Sequence, residues 1–353
     1  MTSSANLLDT SVNVESTIDS PAAPSLSAIE PIPEDTRLTA LPIGRQETWE
    51  WYLKSVNCFW VPQDIDFSQD PEDYENSPKM TDDMRRFIDY VMAFFASLDQ
   101  LVNVNILERF LKDFPILEVE FFYNFQTMME NIHAHTYSLQ IDTIIRDPAK
   151  REHLLKSIET IPVIKRMGSW ITDTADSQEG IGRRLLRMVA VEGIFFIGAF
   201  CAIYWIGSFG LMKGLVQANE LIQRDESLHT EFAIHLYSML RPEHQLSDGE
   251  IHELMRDAME IANEFVAEAI PFDMLSMNQR LMTQYLECQV DGLLTLLGVP
   301  LLYGSTNPFG FMEMINMPNK TNFFEKRVTE YGRKSDIIPA QAKGKDEFAA
   351  DDF

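Results

Sequence analysis

Apolar residues recur three and four apart along most of the chain, which is the spacing of one buried helix face. Phe87, Val91, Phe94, Phe95, Leu98 and Val102 form the first such stripe, and Thr81 ahead of Asp-Asp-Met offers it an N-cap. The pattern resumes over 116–146 and stops at Asp147-Pro148. It predicts further helices over about 181–206, 212–240, 249–269 and 277–297, with Gly207 and Gly210 interrupting the first of these. No stretch alternates like a strand, and no repeat of constant period is visible, so the expected class is all-α.

The ends differ from this middle. Residues 1–35 are rich in Ser, Thr, Ala and Pro and hold almost no aromatic side chains, which predicts a disordered extension. The helical domain is expected over 36–318. After Phe323-Phe324 the chain turns polar and closes with an acidic, aromatic-tipped segment ending at Phe353, so 319–353 is expected to be a flexible tail.

Composition narrows the partners. A formal net charge of −25 disfavours general binding to nucleic acid or to anionic membranes. Three scattered cysteines (Cys58, Cys201, Cys288) make neither a disulfide framework nor a thiolate metal site, and no secretory signal opens the chain. A reducing, cytoplasmic setting follows as the expectation. The stretch Val189–Gly207 is apolar enough to span a membrane but carries Glu192, and a buried core helix is the reading preferred here.

Two Glu-x-x-His pairs carry the chemistry: Glu130-Asn-Ile-His133 and Glu226-Ser-Leu-His229. Residues three apart share a helix face, so each carboxylate and imidazole can reach one cation. Such pairs also arise by chance, and their setting gives them weight. The helix between them is nearly all apolar but holds Glu192, and the helix before them holds Asp99 within Phe-Phe-Ala-Ser-Leu-Asp. A four-helix di-metal site needs this set: one Glu-x-x-His from each of two helices and one carboxylate from each of the others. Four carboxylates balance two divalent cations, and oxygen-rich ligation with two imidazoles suits iron or manganese. The competing interpretation is a pair of surface Glu/His neighbours and two acids hydrogen-bonded elsewhere. His135 falls on another face, and the remaining histidines lack an acid partner.

Tyr137 lies one turn beyond His133 on the ligand face. Phe196 and Phe200 follow Glu192 at four and eight residues, and Ile222 precedes Glu226 by four. These positions predict a phenol beside the metals in an apolar wall. Buried tyrosines are commonly packing residues; next to a redox-capable metal pair, a solvent-shielded tyrosyl radical becomes the alternative.

The segments Trp49–Trp60, Phe94–Phe110, Met129–Ser138, Val191–Phe200 and Asn219–His229 together resemble the small subunit of class I ribonucleotide reductase, in its eukaryote-like, oxygen-dependent branch. The likeness runs over about residues 40–331. It implies a ferritin-like homodimer whose reduced di-iron centre (or manganese counterpart) reacts with oxygen to oxidise Tyr137. It further implies that a separate large subunit receives the radical and reduces ribonucleotides. On the family pattern, Asp225 would hydrogen-bond His133 and Trp49 as a transfer route. Tyr331 would relay the radical, and the segment ending at Phe353 would dock in the large subunit. One branch replaces the radical tyrosine by phenylalanine; Tyr137 argues against it. The N-terminal extension lies outside the likeness, with regulation or targeting as its only suggested roles. Three competitors stand beside this reading: a di-iron oxidase or hydroxylase of small molecules, which would share the six ligands, a ferritin-like iron store, and a helical scaffold that metals merely stabilise.

Overall fold

The structure is a computed structural model that describes residues 35–176 and 179–315; within these helices some side chains, that of Asp99 among them, lie outside the described set. The expected extension and tail, with Tyr331 and Phe353, fall outside the described residues, save for Asp35.

Among the described residues the chain is helical throughout, with one isolated bridge, Met274–Met277. The helices are α1 (Gln46–Asn57), α2 (Asp70–Asn76), α3 (Asp82–Asn105), α4 (Leu117–Ile144), α5 (Pro148–Leu155), α6 (Ser157–Thr160) and α7 (Pro162–Asp176). They continue with α8 (Ile181–Gly207), α9 (Lys213–Ser238), α10 (Asp248–Ala269), α11 (Gln279–Leu297) and the short α12 (Gly310–Ile315). The expected helices are present, with ends shifted by a few residues. Thr81 caps α3 by accepting from Met84 N at 3.2 Å. Asp147, expected only to end a helix, caps α5 by accepting from Ala149 N at 3.0 Å. The apolar pattern does not single out α1 or α5 to α7.

The core is aromatic at its centre: Phe94, Phe95, Phe122, Phe196, Phe200 and Phe232 are all fully buried. α8 is long and apolar enough to cross a membrane, yet 89% of its apolar window is enclosed by the other helices. The expectation of a core helix holds. Two π-helical turns interrupt the regular winding, Ile106–Phe110 after α3 and Val191–Phe196 within α8. Such turns often occur at functional sites, and the second contains Glu192.

The start of α9, which carries the second Glu-x-x-His pair, is held by acids from α2. Asp70, fully buried, accepts from Gly214 N at 3.0 Å and Leu215 N at 2.7 Å, and Asp73 accepts from Met212 N at 2.9 Å. Carboxylates at a helix N-terminus satisfy its orphan donors and complement its dipole. Glycine is required at 214, because a Cβ there would lie 2.6 Å from the Asp66 carbonyl and 2.7 Å from Asp70 Oδ2. Gly214→Ala is expected to lower stability by about 1–3 kcal/mol through overpacking, seen as a fall in Tm by calorimetry.

At the other end, Asp291 on α11 accepts backbone N–H bonds from Leu302, Tyr303, Gly304 and Ser305 at 2.6–3.2 Å. This clamp fastens the loop that leads to α12, and Met312 of α12 is fully buried.

Candidate metal centre

Glu130 and His133 project from α4, Glu192 from the π turn of α8, and Glu226 and His229 from α9. All five are at most 3% exposed. Glu130, Glu192, Glu226 and His229 each bring a ligand atom within 4.8 Å of the others. His133 joins them through Nδ1, 2.9 Å from Glu226 Oε1 and 3.3 Å from Glu130 Oε2. His229 Nδ1 lies 2.8 Å from Glu226 Oε2 and 3.0 Å from Glu130 Oε1. Five of the six predicted ligands therefore converge. The sixth, Asp99, sits on α3, which packs along α4; its side chain is outside the described residues. His135 is exposed, as its place on another face predicts.

The electrostatics fit cations. Burial alone would pull the His229 imidazole down, but Glu130 and Glu226 push it up to about 10. His133 is likewise held well above its ordinary value, against burial, by Glu226, Asp225 and Glu130. Glu226 stays well below the usual carboxylate range despite burial, because of the charges on His229 and His133. A field that holds protons on two buried imidazoles would equally hold divalent metals, and buried carboxylates are costly without such partners. The donor set, with its carboxylates and two imidazole nitrogens, fits a di-metal centre.

Behind His133 lies an ordered second layer. Its Nε2 is 3.2 Å from Asp225 Oδ2, so the neutral imidazole that binds metal through Nδ1 would donate from Nε2 to Asp225. The same carboxylate oxygen accepts from Trp60 Nε1 at 2.7 Å, and the Trp60 ring stacks on His133 with centroids 5.9 Å apart. Arg224 donates to Asp225 Oδ1 through Nε at 3.3 Å and Nη2 at 3.1 Å. Asp225 is kept ionised below its ordinary range: burial raises it, but Arg224 and His133 outweigh that.

This corrects one expectation. Trp49 is not the partner of Asp225; Trp60 is. Trp49 is half-buried and packs against Tyr52 and Phe121 at 4.8 and 5.3 Å between centroids, between α1 and α4. The physical reason is position: on α1 Trp49 faces Tyr52 and Phe121 of α4, and it is Trp60, in the turn that follows, whose indole reaches Asp225. Trp60 could have been noticed from the sequence as an aromatic directly before Val-Pro, where the chain must leave the helix. Spacing alone does not choose between two tryptophans of one segment.

Tyr137 is 2% exposed and stacks face to face on Phe95, with centroids 4.5 Å apart and planes at 5°. Phe95 in turn stacks on Phe200 at 5.0 Å and meets Phe196 at 6.0 Å. Phe196, Phe200 and Ile222 are fully buried. The unpredicted Phe95, from α3, thus connects the Tyr137 ring to Phe196 and Phe200.

Comparison with known proteins agrees with this geometry. Residues 37–308 match the family model for ribonucleotide reductase, small chain. The chain belongs to the ribonucleotide reductase small-chain family. It is 44% identical over 315 residues to a ribonucleoside-diphosphate reductase small chain of Arabidopsis thaliana, covering 89% of this protein and 93% of that one. It is 46% identical over 310 residues to the small chain of Neurospora crassa, covering 87% and 74% respectively. Among solved structures, that of the Rnr4 homodimer of Saccharomyces cerevisiae superimposes with a TM-score of 0.71 at 32% identity, covering 84% of this protein and 91% of that one. Like these small chains, the protein has a ferritin-like helical fold.

Proposed function

We propose that this protein is the radical-generating small subunit of a ribonucleoside-diphosphate reductase and stores its oxidising equivalent on Tyr137. The observation that carries this is the phenol itself: a tyrosine one turn past a candidate ligand histidine, 2% exposed and stacked on Phe95, which itself packs on Phe196 and Phe200. Packing alone does not require a hydroxyl in such a wall, and an iron store or a metal-stabilised scaffold has no use for one. An oxidase of small molecules would place its substrate beside the metals, where this protein places rings.

Glu130, His133, Glu192, Glu226 and His229, with Asp99, would hold two iron ions, manganese being the alternative. The loaded pair supplies one-electron oxidising power drawn from dioxygen. The residues do the rest. Asp225 holds the Nε2 proton of His133 and the indole proton of Trp60 on one oxygen, which links a ligand to an aromatic side chain outside the ligand set. Arg224 keeps that carboxylate ionised and oriented. From Trp60 the equivalent would pass through Tyr331 to a large subunit that reduces ribonucleotides to deoxyribonucleotides, with the segment ending at Phe353 docking there. We place the protein as a homodimer, the state in which its yeast relative was solved, and in the cytoplasm, a reducing setting that suits three cysteines outside any disulfide.

Purified protein given Fe(II) and oxygen should show a tyrosyl radical by electron paramagnetic resonance, with two metals per chain by elemental analysis. Two metals without a radical would favour the oxidase reading.

A further inference from the structure

Two of the three cysteines and two buried tyrosines occur at mirrored spacing on packed helices. α8 carries Cys201-Ala-Ile-Tyr204 and α11 carries Tyr285-Leu-Glu-Cys288. Residues three apart on a helix are neighbours on its surface. The helices run antiparallel and close together. A Cβ at Gly193 would lie 2.9 Å from Leu293 Cδ1, and one at Gly198 would lie 3.1 Å from Leu286 Cδ2. At the far end Trp205 Nε1 donates to the Leu275 carbonyl at 3.0 Å. Cys201 and Tyr204 therefore lie along the stretch of α11 that holds Tyr285.

Cys201 and Tyr285 are fully buried and Tyr204 is 4% exposed, whereas Cys288 is only half-buried. The Tyr285 hydroxyl has no hydrogen-bond partner among the described residues. A phenylalanine would avoid that cost of about 1–3 kcal/mol. Burial pushes the Tyr285 phenol up, and Cys201, Tyr204 and Cys288 add to the effect. Burial likewise holds up the Cys201 and Cys288 thiols and the Tyr204 phenol. All four groups keep their protons at neutral pH.

The cluster lies just behind the wall of the radical site. Tyr204 is one turn beyond Phe200, and Asn219 Nδ2 donates to the Phe200 carbonyl at 3.3 Å. Phe200 stacks on Phe95, and Phe95 on Tyr137.

We propose that Tyr204, Tyr285, Cys201 and Cys288 form an exit for oxidising equivalents lost from Tyr137, with the Cys288 thiol as the terminal donor. The inference rests on Tyr137 being the radical site. One electron tunnels from Cys288 to the Tyr137 phenoxyl, with the Tyr204 and Tyr285 rings bridging the gap and keeping their own protons. Cys288 gives its proton to water, and the Tyr137 phenoxyl oxygen takes one proton from water to become a phenol, so one hydrogen atom has been transferred in all. The resulting Cys288 thiyl takes a hydrogen atom from a small thiol in solution, which is the group finally oxidised.

The test uses full-length protein loaded with Fe(II) and oxygen, a nitrone spin trap, and glutathione in a parallel sample. Peptide mass spectrometry locates the trapped adduct, and paramagnetic resonance follows the decay of the Tyr137 signal. An adduct at Cys288 is expected, lost in Tyr285→Phe, with slower radical decay in both Tyr285→Phe and Cys288→Ser. Tyr285→Phe removes only an unpartnered hydroxyl, so an unchanged Tm verifies its fold. An adduct at Cys288 that survives Tyr285→Phe, or decay unchanged in both variants, overturns the exit while Tyr137 remains the radical site. Absence of any tyrosyl signal at the start removes both.

Discussion

Tyr137→Phe should abolish the tyrosyl radical and all turnover with a large subunit, while two metals still bind. The change removes one oxygen atom and keeps the ring that stacks on Phe95 at 4.5 Å. No ligand moves, since Glu130 and His133 are placed by α4 and held by their own contacts to His229, Glu226 and Asp225. Stability should change by no more than about 1 kcal/mol, the size of one lost or relieved polar contact. Metal analysis, Tm and the resonance spectrum together separate this outcome from misfolding. A radical that persists in the variant would mean that another side chain holds it, Tyr123 being the first to examine, because it lies two turns from Glu130 on the other side and is 1% exposed.

The second large effect separates two tryptophans. Trp60→Phe should retain metals and the Tyr137 radical but reduce turnover to background, whereas Trp49→Phe should leave turnover nearly unchanged. Trp60 gives its indole proton to Asp225 Oδ2 at 2.7 Å, and phenylalanine cannot. Loss of that bond leaves a buried carboxylate one donor short, a cost of about 1–3 kcal/mol. Some of the fall in Tm is therefore structural. Radical content measured beside turnover distinguishes the routes: a structural effect would lower both, and a broken transfer path only the second. Equal losses in Trp49→Phe would restore the family-based expectation.

Much of the site was legible because helix periodicity converts sequence spacing into shared faces. Glu-x-x-His pairs, the stripe from Glu192 to Phe200 and the position of Tyr137 are all consequences of that one rule. What spacing could not reach was contact between segments without periodicity. Trp60 lies in an irregular turn after α1, and no local rule says which aromatic of that segment turns inward. Phe95 was visible as a core residue of α3, but its partner on the radical ring depends on how α3 and α4 are aligned along each other. The π turn around Glu192 was also hidden: its composition, Val-Glu-Gly-Ile-Phe-Phe, suits an ordinary buried helix. The winding shows only in the backbone, where Gly193 meets Leu293 on α11.

The clamp on Asp291 has a consequence for assembly. By pinning the loop at 302–305 with four N–H bonds and burying Met312, α11 sets a point of attachment for everything downstream. The sequence places 38 residues from Ile315 to Phe353, a contour of at most about 130 Å. On the proposal that the segment ending at Phe353 docks in a large subunit, that partner would be held at a local concentration set by the number of intervening residues, rather than by its abundance. Under the same proposal, inserting residues between Ile315 and the docking segment would dilute the partner without altering a single contact.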